Sequence, residues 1–328
     1  MQVMLAACMA CCMLTIPMDA IWARHIGIAG RQDGLGGADL TSEGTTVVAT
    51  TASALALTPF PDSPRVHYTR NPLIEVICQV RFPPILRIDS EVPAQFQEMI
   101  REAFPLFREE DSPLLPELSP ELSQIVRASL QQQLPRKSWK FTTEDMTWEV
   151  TLTRESYTLS TTTYRRWEEF RARFEIVLGA LQSEYRPSFI TRIGLRYQNL
   201  IVRSRLGLSD SSWADLLQPH ITAEYSSLEI SPAIQEAVHR VLIGLSGNGK
   251  VNLRHGTARK DGEDEIVYFI DNDFFTDDKT EVASVTERLD HFNRDSGRLF
   301  RWCISERLHE AMGPTHESLS GNLARPDI

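Results

Sequence analysis

The side chains best placed to do chemistry fall in one short run, Arg192-Ile-Gly-Leu-Arg-Tyr-Gln-Asn199. If this run is extended, residues 192, 194 and 196 share one face and residues 193, 195, 197 and 199 share the other. Arg192 and Arg196 then project together past Gly194, while Tyr197 and Asn199 point the opposite way. Two guanidinium groups flanking a missing side chain suit a carboxylate or phosphate, which their planar forks can grip at two atoms. The competing expectation is that both pair with acids on neighbouring strands, such as Glu75 or Glu149, and lie along the sheet. Arg192, Arg196, Tyr197 and Asn199 make up the candidate ligand-binding set, with cross-strand pairing the favoured expectation for the two arginines.

Other chemistry-bearing patterns are weaker. Asp271-Asn-Asp273, followed by Asp277-Asp278, could offer oxygens to a divalent cation, but it lacks the Gly and the distal Glu of a calcium loop. Acids ahead of a helix are expected as caps and dipole partners, so Asp271 and Asp273 are assigned to capping and no metal site is expected. Gly244-Leu-Ser-Gly-Asn-Gly-Lys250 has the glycine and lysine spacing of a phosphate loop. Val251 stands where a hydroxyl should reach the metal, however, and Val251-Asn-Leu-Arg-His255 alternates like a strand, so Gly247-Asn-Gly249 is expected to be a hairpin turn. His239 and His255 should face each other across that hairpin. No His-x-x-x-His, His-Glu-x-x-His or Gly-x-Ser-x-Gly pattern occurs, so the sequence names no catalytic residue and no cofactor.

The chain has 328 residues and a formal charge of −10. An acidic body repels phosphate backbones, which argues against nucleic acid as a partner. The one dense basic run, Arg165-Arg166 with Arg171 and Arg173, is interspersed with Glu168, Glu169 and Glu175 and fits a solvated helix face. Of five cysteines, Cys8, Cys11 and Cys12 precede the body, and Cys78 and Cys303 lie in apolar company. Two such thiols make no disulfide framework, and a reducing, cytoplasmic setting is expected. Met1–Ile21 is apolar but has no basic residue before Arg24, against a signal peptide, and no membrane span is expected. Residues 27–64 are dominated by Gly, Ala, Thr, Ser and Pro without a period, so 1–64 is expected to be a disordered or misassigned extension.

The elements that must position these groups begin with a strand at 71–82, where Glu75, Gln79 and Arg81 interleave with β-branched residues. A helix over 92–104 follows, then an exposed connector at 108–120 and a short helix at 121–133. Three strands at 139–141, 147–153 and 157–161 make a meander, and Trp167, Phe170, Phe174, Val177, Leu178 and Leu181 mark one face of a helix over 167–185. The strand 189–202 carries the arginines. Strands at 237–245, 250–257 and 265–271 repeat the meander, with a turn at 261–262, and a helix spans 279–311, with Asp295-Ser-Gly297 as a kink. The expected class is α+β: antiparallel sheet with helices on one face, a meander-plus-helix unit duplicated across halves 65–203 and 204–314, and a flexible tail at 315–328.

Three segments, Asn71-Pro-Leu-Ile-Glu-Val-Ile-Cys-Gln-Val-Arg-Phe-Pro-Pro84, Arg192-Ile-Gly-Leu-Arg-Tyr-Gln-Asn199 and the C-terminal helix around His291 and Phe300, together resemble a sporadically distributed family of uncharacterised prokaryotic proteins. The resemblance covers roughly 65–312 and implies a single α+β unit, but no catalytic residues. The first functional expectation is a non-catalytic binding module with a protein partner. The alternative is an enzyme or sensor holding a small anionic ligand on Arg192 and Arg196.

Overall fold

In the computed structural model, described here over residues 58–112, 136–227, 229–234, 236–259 and 265–316, strand β2 (Leu73–Arg81) alternates as its sequence demands. Val76, Cys78 and Val80 are fully buried while Glu75, Ile77 and Gln79 are half-buried on the other face. A period-two pattern of this kind makes one face of the sheet a core and leaves the other uncovered. These elements belong to one compact unit, Ala54–Glu110 with Lys137–Ile328; the other, Met1–Ser53 with Asp111–Arg136, lies almost wholly outside the described residues.

Nine strands form one sheet in the order β3-β4-β5-β6-β2-β7-β10-β9-β8. Besides β2 these are β3 (Leu106–Ser112), β4 (Arg136–Thr142), β5 (Trp148–Thr153), β6 (Ser156–Thr161), β7 (Arg192–Ile201), β8 (Ala237–Gly244), β9 (Lys250–Arg259) and β10 (Ile266–Thr276). The order repeats a strand, meander and helix on each side of its centre, and the second copy opens with β7, ahead of the boundary expected at 203. β2 leads into the meander β4-β5-β6, whose last strand returns beside it, and helix α3 (Trp167–Glu184) follows. β7 leads into β8-β9-β10 in the same way, β10 returns beside it, and helix α5 (Val285–Cys303) follows. β2 and β7 pair antiparallel at the centre, joining the halves. A small second sheet pairs β1 (Val66–Tyr68) with β11 (Pro314–His316), tying the two ends of the body together.

Both long helices cover the same face. Phe170 and Phe174 of α3 lie against Trp148 and Tyr157, and Phe292 of α5 against Phe274. Two short helices, α1 (Arg87–Ser90) and α2 (Ala94–Ile100), close the first half, where the Trp139 indole donates to the carbonyl of Ile88 at 2.8 Å and Phe96 meets Phe141. Helix α4 (Trp213–Leu216) is capped by Ser212 and Asp215 bonding each other's backbone.

Several expectations need correction. The connector expected at 108–120 begins as strand β3. It lacks apolar alternation because it is an edge strand held by ion pairs, Lys137 to Glu109 at 2.9 Å and Lys140 to Glu110 at 3.1 Å, and by Phe107 stacked on Trp139. The helix at 121–133 and the turn at 261–262 fall outside the described residues. β10 continues to Thr276, so Asp271 and Asp273 are strand residues and cap no helix. The helix expected at 279–311 is two: α5, and α6 (Glu306–Ala311) capped by the Ser305 hydroxyl, with Ile304 extended between them. Asp295-Ser-Gly297 makes no kink and lies inside α5. The ordered body also starts before Arg65. Phe60 is buried against Phe274 and Trp302, a burial that contributes roughly 1.5–3 kcal/mol. The tail expected from 315 begins within β11.

Candidate functional site

Strand β7 divides the sequence-predicted residues between the two sides of the sheet. Arg192 and Arg196 stand on the uncovered face and meet acids of β10, the neighbouring strand. Arg196 donates to both carboxylate oxygens of Asp271, at 2.7 and 2.6 Å, and Arg192 donates to Asp273 at 2.9 Å. The partners are therefore not Glu75 or Glu149; Glu149 pairs with Lys140 and Arg108. The gap over Gly194 is filled from within, because a Cβ there would overlap the guanidinium of Arg192 itself. That guanidinium also lies 5.0 Å from the centre of the Phe275 ring. Burial raises the Asp273 carboxyl above its ordinary value, opposed by the fields of Arg192 and Arg196. Asp271 and Asp273 thus serve the arginines as counter-charges.

Tyr197 and Asn199 occupy the helix-covered side, where they form the floor of a cleft of about 430 Å³. One wall comes from α5, where Asp290, Asn293, Arg294, Gly297, Arg298 and Arg301 recur at helical spacing on one face. The opposite wall is the segment from Ser63 to Leu73, and Tyr164, Arg165 and Trp167 close one end ahead of α3. This size lies in the range of small-ligand pockets, which run from about 300 to 1,000 Å³.

Most charges around the cleft are already committed. Asp290 accepts from the Trp167 indole at 2.7 Å and from Arg171 at 3.0 Å. Arg65 grips Glu168 with two bonds, at 2.6 and 2.8 Å, which pulls that carboxyl down to about 2. Arg298 pairs with Asp62 and Asp295, and Arg301 with Glu306 and the carbonyl of Ile304. Arg165 and Arg294 are exposed and form no ion pair among the described residues. Burial raises the Tyr164 and Tyr197 phenols far above their ordinary value, so neither acts as a base near neutral pH.

The polar floor has unused capacity. Tyr197 donates to the Asn293 side-chain oxygen at 2.8 Å, which leaves the Asn293 amino group. Asn199 donates to the carbonyl of Ile270 at 3.1 Å, which leaves its oxygen. Gly297 lies in the middle of α5, where glycine costs about 1 kcal/mol relative to alanine, and a Cβ added there meets nothing within 4 Å. The missing side chain keeps the cleft open along the helix.

The other patterns singled out in the sequence have structural places. Gly247 and Asn248 take positive φ, 63° and 60°, in the hairpin between β8 and β9, and Lys250 opens a strand. His239 and His255 are register partners and their rings stack. Cys78 and Cys303 are free and buried, and burial raises both thiols. Sequence reasoning missed Glu306, His309 and Glu310, which share one side of α6 within 4.8 Å of one another. Arg301 neutralises Glu306, and His309 Nδ1 lies 2.8 Å from the Tyr68 hydroxyl, which accounts for the grouping. It also missed the α5 face of the cleft, although the polar stripe around Gly297 was there to be found. Compared with protein-family models and with curated proteins, the chain matches none.

Proposed function

We propose that this chain is a non-catalytic binding module whose ligand, a small anion, seats in the cleft over Tyr197 and Asn199. The observation that carries this reading is the contrast inside the cleft: Arg165 and Arg294 have no counter-charge there, while the one acid lining it, Asp290, is already held by Trp167 and Arg171. Such a site attracts an anion and has no available carboxylate to act as a base. Arg192 and Arg196, bonded to Asp273 and Asp271, belong to the sheet in this reading. A protein partner, the first expectation from the sequence, finds less support. Val241 and Leu242 are exposed on the edge strand β8, but adjacent strand residues point to opposite faces and make no patch.

No helix among the described residues is long and apolar enough to cross a membrane. A cytoplasmic setting, supported by the two free buried thiols, and membership of the sporadically distributed prokaryotic family remain part of the proposal. The test is thermal stabilisation of the full chain by a panel of carboxylates and phosphates. At least one should raise the melting temperature, Arg294→Glu should remove the effect, and Arg196→Ala should keep it. An effect lost with Arg196→Ala and kept with Arg294→Glu would move the site to the other face of the sheet.

A further inference from the structure

The cleft is differentiated along the α5 face, and this restricts the kind of anion it can hold. The α5 face from Asp290 to Arg301 spans about 16 Å at 1.5 Å per residue, roughly three helical turns. Arg165 belongs to the end where the Trp167 indole meets Asp290, and Arg294 is one turn along α5 from Asp290. The uncommitted positive charge therefore gathers toward one end. Beyond it the helix surface drops away at Gly297, where a side chain would have open space to fill. Flat apolar surfaces of Pro64, Pro72, Leu73 and Tyr68 stand on the opposite wall. The floor offers one donor, the Asn293 amino group, and one acceptor, the Asn199 oxygen. No open carboxylate is available for a cationic head group.

A ligand complementary to all of this has a phosphate at one end and a flat, uncharged ring whose edge carries both an acceptor and a donor. Planar nitrogen heterocycles have that edge, and a single ring system with its sugar fits the length. Extending the anion-cleft reading, on which it rests, we infer that the cleft takes a nucleoside phosphate, with its phosphate at Arg165 and Arg294 and its base laid along α5 over Gly297, reading Asn199 and Asn293.

The experiment is calorimetric titration of the full chain with AMP, GMP, CMP and UMP, each beside its nucleoside and inorganic phosphate. At least one nucleotide should bind about tenfold or more tightly than both its nucleoside and phosphate, because two ends of one ligand are engaged together. Arg294→Glu should weaken that nucleotide by about tenfold or more, the scale of a charged hydrogen bond. Gly297→Leu should abolish its binding while the protein melts no lower than the parent, since leucine is the better helix former and a Cβ at 297 meets nothing within 4 Å. Nucleotides that bind no better than phosphate would overturn the inference, as would nucleotide binding that survives Gly297→Leu. If a carboxylate or phosphate still binds and Arg294→Glu blocks it, only the ligand class falls. If Arg294→Glu leaves all anion binding intact, the cleft reading falls as well.

Discussion

His255 offers the sharpest quantitative test of the packing on β9. Its side chain is 4% exposed, and Nδ1 lies 2.9 Å from the Tyr268 hydroxyl, which itself donates to the carbonyl of Ile221. The Tyr268 oxygen must then accept from His255 Nδ1–H, which fixes the tautomer. On its other side the ring stacks on His239, with 5.1 Å between centroids, and His239 lies 2.8 Å from Glu224. Burial, then the field of His239 and more weakly that of His220, push His255 down from 6.5 to about 4, against a smaller upward pull from Glu224. The folded value is below the unfolded one, so the unfolded chain takes up a proton that the folded chain refuses. Stability from this group is complete above pH 6.5 and is lost as the pH falls through about 4.

The gap between 6.5 and about 4 is worth roughly 3 kcal/mol, and near-complete burial leaves little to discount for solvent. At roughly 2–4 °C per kcal/mol for a body of this size, acidification should lower the melting temperature by roughly 10 °C through His255 alone. Other groups titrate in the same range. The raised Asp273 carboxyl acts in the opposite sense, its burial cost relieved as it protonates. The measurement is therefore a difference: urea unfolding of the parent and of His255→Gln, each at about pH 7 and about pH 4.5. Glutamine keeps a donor for Tyr268 and has no charge to gain, so the variant should lose less stability on acidification, by up to roughly 3 kcal/mol. Equal losses in the two proteins, or an imidazole that titrates near 6.5 by NMR, would refute the reasoning.

Arg196→Ala should destabilise the fold by about 1–3 kcal/mol, since it strands Asp271 with a 13% exposed side chain, while the 35% exposure of Arg196 holds the cost below that of a fully buried pair. The joint Arg196→Met, Asp271→Leu variant should recover most of the loss, and a double-mutant cycle with no coupling would show that the pair does not form. Gly256→Ala should cost more than about 3 kcal/mol, because φ is +156° and a Cβ would overlap the Ala237 carbonyl and press on Val238 Cα at 2.9 Å, prying β8 from β9. An unchanged melting temperature in that variant would mean the β8–β9 register is wrong.

What the sequence made legible is whatever its local period determines. β2, the meander β4-β5-β6, helix α3 and the Gly247-Asn-Gly249 hairpin follow from alternation, helical spacing and turn chemistry within about twenty residues, and the split of Arg192 and Arg196 from Tyr197 and Asn199 follows from period two alone. What stayed hidden depends on partners far along the chain. Which acids meet the arginines is set by the register of β7 on β10, with Asp271 75 residues from Arg196. β3 is a strand because Lys137 and Lys140 stand beside it, and Phe60 is core because Phe274 and Trp302 are there to receive it. In each case the local composition pointed elsewhere and tertiary contacts decided.

The cleft shows how such distant partners come together. The sheet order puts β2 and β7 side by side at its centre, and α5 lies over β7 and β10. Three segments far apart in sequence each reach this one place: Asn71 to Leu73 at the start of β2, Tyr197 and Asn199 on β7, and Phe300 on α5 all line the cleft. A sheet needs none of these polar groups to pack. Tyr197 and Asn199 sit on the buried face, where apolar residues would cost nothing to desolvate, and glycine at 297 weakens the helix above them. Three departures from good local packing meet at one cavity and support the proposed binding site, whereas Arg192 and Arg196, the more conspicuous residues in the sequence, break no such rule once Asp271 and Asp273 stand opposite them.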